Sequence, residues 1–133
     1  MNVKTIKFGF IASALMNFSG VLILSRGFTN EAINIIDPVV MSNFGLLMIV
    51  IWGLAFLGAS MITSNVKWLA AAFAVEKLVY VISWLTWFSP DKLTHAYELD
   101  LFAGIFYSIY GLNDFVFMLF FALLFWDQRK TAA

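Results

Sequence analysis

Four long apolar runs, parted by short polar stretches, govern what this chain can fold into. They cover residues 6–24, 39–62, 66–88 and 101–126. A helix needs roughly 20 residues to cross a hydrocarbon core about 30 Å thick, and each run is near or above that length. The first reaches it by taking in Ile6 and letting Lys7 stretch its ammonium toward the headgroups. A barrel wall would instead show short segments alternating apolar and polar residues. The expected fold class is an all-α integral membrane protein, a four-transmembrane-helix antiparallel bundle forming a single domain over residues 1–133. Composition agrees: with 62% hydrophobic and 12% charged residues, the chain has too little charge to clothe a soluble domain of its size.

Lys4 and Lys7 before the first run give it the outline of a secretory signal. It is longer than the usual apolar region of a signal, however, and no small-x-small cleavage site follows Leu24, so it is expected to remain as a helix. Counted loop by loop, Lys4, Lys7, Lys67, Arg129 and Lys130 fall on one side, Arg26 and Lys92 on the other. The positive-inside rule then puts both termini in the cytoplasm and the protein in the cell membrane as a multi-pass chain, the inner membrane if the source is a bacterium.

Between the runs, the turn Thr63-Ser64-Asn65 is so short that its flanking helices are expected to be antiparallel neighbours. Asn30 or Thr29 can cap a single turn carrying Ile33 and Ile36 toward the membrane surface, and Asp37-Pro38 can open the second long helix. Ser89-Pro90-Asp91 has the same cap-then-proline form and starts a short interfacial helix through Tyr97. Trp68, Trp87, Trp126 and Tyr97 stand near helix ends, where interfacial anchors belong. Gly53, Ala55, Gly58, Ala59, Gly104, Gly111 and the alanines of 70–74 are small enough to let helices approach closely.

The functional information lies in the depth of the polar side chains. The midpoints of the runs fall near Asn17, Trp52, Glu76 with Lys77, and Asn113 with Asp114. An ionisable group at the bilayer centre costs from about 3 to more than 10 kcal/mol, so these residues must face inward and find partners. Glu76 and Lys77 are too far from either helix end to reach water, and as adjacent residues they diverge by about 100° around the helix. One of them is therefore expected to pair with Asp114. Two carboxylates and one ammonium leave a charge of minus one, a poor state at low dielectric. Either one carboxyl carries a proton, Glu76 if Lys77 turns to Asp114, or a cationic ligand completes the site.

The expected ligand- or ion-binding set is Glu76, Lys77, Asp114, Asn113, Asn17, Tyr80, Tyr110 and Trp52. Such a site suits a hydrophobic ligand with one polar or cationic group, a proton or a cation, bound or conducted. Two other classes fit the same residues: an accessory subunit whose polar centre only fixes helix packing, and a lipid isomerase or hydrolase using a carboxylic acid, which leaves catalytic residues unassigned. A pathway through so few helices calls for a homo-oligomer or a larger membrane complex. No cofactor or metal is expected: cysteine is absent and the lone His95 sits in a loop with Asp91 and Glu98, a solvated grouping. A net charge of zero gives no reason to expect a nucleic-acid partner.

Overall fold

The computed structural model describes residues 1–128, and among these residues it contains six helices and no strand. They are α1 (Val3–Leu24), α2 (Glu31–Ile36), α3 (Asn43–Ala59), α4 (Lys67–Trp87), α5 (Pro90–Leu99) and α6 (Leu101–Gln128). Three of them, α1, α4 and α6, are long and apolar enough to cross a membrane; α3 is equally apolar but has 17 residues. Arg129 and Lys130, which weigh in the orientation argument, lie outside the described residues.

The second run is shortened at both ends by local hydrogen bonding. Asp37-Pro38 does not open α3. The Asp37 carboxylate accepts from the Val40 N–H at 3.2 Å and its carbonyl from Met41 N–H at 2.9 Å, making a separate turn. The helix starts only after Ser42, whose hydroxyl caps Gly45 N–H at 3.1 Å. At the far end the N–H groups of Met61 and Ile62 bond back three residues, to Gly58 and Ala59, and this tighter winding stops the helix.

At one end of the molecule the chain terminus meets α6, where the Met1 ammonium pairs with Asp127 at 3.0 Å. The Val66 N–H donates to the Gln128 side chain nearby, at 2.9 Å. The opposite end is closed by α2 and α5. Asn30 caps α2, and Ser89 with Pro90 at the first turn starts α5, as the sequence suggests. Ile33 does not turn to the membrane surface. It is wholly buried, because the Tyr107 hydroxyl donates to its carbonyl at 2.7 Å and draws α2 over the bundle as a lid. Arg26, Gly27 and Phe28 all have positive φ (50°, 65° and 68°), a left-handed turn that suits only the glycine. The Phe28 N–H bond to Ser25 Oγ and the Arg26 ion pair with Asp100, both within 2.9 Å, hold it.

The most extensive helix pairings are α4 with α6 and α1 with α3, followed by α5 with α6 and then α1 with α6. The connection between α3 and α4 is longer than Thr63-Ser64-Asn65, and their backbones stand apart. They meet through rings, Phe56 against Phe73 at 4.8 Å and Trp52 against Phe73 at 6.1 Å. Close approach elsewhere rests on glycines: a Cβ on Gly111 would collide with the Trp84 indole, and one on Gly53 with Phe18. Ala55 and Gly58 face outward and take no part. Nor is Trp87 an interfacial anchor; it is buried and stacked on Tyr107 at 4.6 Å, whereas Trp68 and Trp126 are exposed.

The interior divides into two apolar clusters. One contains Val21, Leu46, Trp87, Phe106 and Tyr107, the other Phe10, Phe56, Phe73, Phe121 and Leu124. Along α1, α4 and α6, the residues separating the clusters are Asn17, Glu76 with Lys77, and Asp114. The outside of these helices and of α3 carries Leu15, Ile51, Leu54, Val75, Leu112 and Val116 exposed.

Candidate functional site

The polar layer is built from one turn of each of three helices. Its side chains are buried although polar: Lys77 is 1% exposed, Asn17 4%, Asp114 7% and Glu76 8%. Groups so placed are tolerable only when satisfied by partners. Lys77 Nζ donates to Asp114 Oδ1 at 2.8 Å and to Asn17 Oδ1 at 3.1 Å, and sits 5.1 Å from the centre of the Phe56 ring. The Asn17 amide turns its other end to the Ile49 carbonyl at 2.9 Å, which ties α1 to α3. Asn113 adds a longer bond, 3.3 Å, to the Asp114 oxygen already engaged by Lys77. One ammonium therefore joins α4 to both α1 and α6.

Glu76 stands outside this network. The 100° between neighbours on a helix turns its carboxyl away from the Lys77–Asp114 pair, and among the described residues its buried Oε2 has no hydrogen-bond partner. It lines a groove of about 460 Å³ where α3 and α4 diverge, together with Trp52, Tyr80, Ser83, Met48 and Val79. Val79 and Phe44, at its edges, are exposed on the outside of the bundle, so the groove opens sideways. A second, narrower space of about 40 Å³ lies between α1 and α6, against Asn17, Tyr110, Asn113 and Asp114. The buried hydroxyls of Ser13 and Tyr110 also have no hydrogen-bond partner among the described residues.

The eight residues singled out from the sequence thus fall into two groups. Glu76, Tyr80 and Trp52 share the α3–α4 groove; Asn17, Asn113, Asp114 and Tyr110 share the α1–α6 space, with Lys77 bonded to Asn17 and Asp114. Sequence reasoning missed Phe56, the ring beneath Lys77, although it lies one helical turn beyond Trp52. Ser83, one turn beyond Tyr80, shares the helix stripe of Glu76 and lines the same groove, and Asp100, outside the layer, was missed. Asp100 caps α6 through Ala103 N–H at 3.0 Å and receives Arg26 and Asn30, both at 2.8 Å. The Arg26 hydrogen bond, with those of Asn30 and Ala103, holds its carboxyl below the usual carboxylate range. An aspartate directly before an apolar run is the cap signal that would have found it.

Fold and site together define an all-helical protein with three helices of membrane-crossing length and apolar character around a buried charged layer. No protein-family model, curated protein or solved structure matches the chain.

Proposed function

We propose that this is a four-span membrane protein whose midplane layer binds a small lipophilic ligand bearing one cationic or hydrogen-bond-donating group. The carrying observation is the division of labour between adjacent residues. Lys77 is engaged by Asp114 and Asn17, while the Glu76 carboxyl lines an open groove with a buried oxygen that has no hydrogen-bond partner among the described residues. The groove's size falls in the usual range for small-molecule sites, and Trp52 and Tyr80 offer ring faces to an apolar body or a cation.

In this reading α3 is the fourth span. Its 17 residues rise about 25 Å, and the turns at 37–42 and 60–62 supply the remainder. The apolar outer face supports a lipid surrounding, and the charge bias of the loops supports termini on the cytoplasmic side. Passage of the ligand, or of a proton with it, would call on a second copy or another subunit.

A structural role is the second reading, because Lys77 joins three helices through a well-formed network. Trp52 provides the discriminating signal. In nanodiscs, a lipophilic amine or phosphonium cation is expected to quench or shift tryptophan fluorescence in the wild type. It should do so at least ten times more weakly in Glu76→Gln, and Trp52→Phe should remove the signal. Equal binding by a folded Glu76→Gln variant would reject the ligand reading and leave the structural one.

A further inference from the structure

We propose that the space between α1 and α6 is a second polar site, which holds water and brings protons to Asp114 from a face other than the ligand groove. It goes beyond the ligand reading and rests on different residues. Empty cavities in proteins are apolar ones; a space that holds water offers two to four polar partners and at least ~10–15 Å³ for each molecule. Here about 40 Å³ is bordered by Asn17, Asn113 and Asp114, with the Tyr110 ring beside them. That volume has room for roughly three waters. Among the described residues both hydrogen bonds to Asp114 fall on Oδ1, from Lys77 and from Asn113, which leaves Oδ2 for a water in this space.

The chemistry follows from what faces Asp114. Lys77 on α4 and Asn113 on α6 bond its Oδ1, Asn17 on α1 shares Lys77, and Glu76, Tyr80 and Tyr110 are within electrostatic range. A hydronium in the crevice would give its proton to the carboxylate, leaving water and a neutral acid, and the reverse step would restore the ion pair. Lys77 and its shell stand between this exchange and the Glu76 groove, so ligand and proton need not compete for one entrance.

Two measurements test the proposal. In water-edited solid-state NMR on bilayers, the Asn113 and Asp114 side chains should take polarisation from water much faster than lipid-facing Leu54 or Val75. Polarisation as slow as theirs would overturn the proposal. The second reads the sign of stability changes in detergent. Gly20 borders the space and a Cβ there meets nothing within 4 Å, so a larger side chain can enter. Gly20→Leu should melt below Gly20→Ala, which carries the same gain of helix propensity without displacing water. A Tm above Gly20→Ala would mean that a dry void had been filled, and would also overturn the proposal. None of these readouts needs a ligand at Glu76, so failure here leaves that reading standing.

Discussion

Replacing Lys77 by Met removes the only charge that satisfies Asp114 while keeping nearly the same volume. The structure fixes what is lost: a 2.8 Å ion pair to Asp114, a 3.1 Å hydrogen bond to Asn17, and the ammonium over the Phe56 ring. Among the described residues, Asp114, 7% exposed, would retain only the 3.3 Å bond from Asn113. Removing one partner of a buried pair costs about 3–5 kcal/mol, because the other charge stays buried without compensation. For a chain of this length that is a fall in Tm on the order of 10 °C. Glu76→Gln, by contrast, touches a carboxyl outside the network and should cost under about 1 kcal/mol. The double variant Lys77→Met with Asp114→Asn removes both charges and should recover part of the loss, which a double-mutant cycle would report as coupling. Thermal unfolding in detergent, followed by far-ultraviolet circular dichroism, decides the matter. If Lys77→Met melted with the wild type, or Glu76→Gln lost as much, the assignment of Lys77 as the sole compensating cation would be wrong.

Three further outcomes are expected. Gly111→Val drives a side chain into the Trp84 indole, whose N–H donates to the Tyr107 carbonyl at 2.7 Å, and should cost several kcal/mol in the same melting assay. Tyr107→Phe removes the bond to the Ile33 carbonyl and should cost about 1 kcal/mol, with faster proteolysis within 25–42. Asp100 carries a depressed folded-state value, so its stabilisation is present above the unfolded carboxylate value near 3.9 and is lost as pH falls through the lower folded one. Asp100→Asn should therefore be less stable than wild type at neutral pH, with the gap closing in acid.

Much of this architecture is written in the sequence because the bilayer allows few choices. A charged residue in the middle of an apolar run must turn inward, which is why Asn17, Glu76, Lys77 and Asp114 all proved buried. Helix ends were legible where the cap chemistry was unambiguous, as at Ser89-Pro90, and misread at Asp37-Pro38, where Ser42 supplies a second cap and the helix starts there instead. Which of Glu76 and Lys77 would meet Asp114 depends on how far helix α4 is rotated against α6, and that rotation is set by contacts such as Trp84 on Gly111 that no local pattern reveals. Trp87 was mistaken for an interfacial anchor because depth along the helix was considered without its rotation, which brings the ring onto Tyr107. The groove itself arises from the separation of α3 and α4, a consequence of side-chain volume at Phe56, Phe73 and Trp52 rather than of any single motif.

The central claim is that Glu76 is the ligand-facing carboxyl, and it is tested most directly by the affinity of a phosphonium cation, whose own charge does not titrate, measured in nanodiscs from mildly acidic to mildly alkaline pH. A cation and a proton compete for the same carboxylate, so wild-type affinity should rise with pH, while Glu76→Gln should bind weakly and without that dependence. An Asp114→Asn variant that folds should keep the rise. Wild type and Glu76→Gln showing the same affinity at every pH would contradict the claim and leave the polar layer as a device for holding helices together.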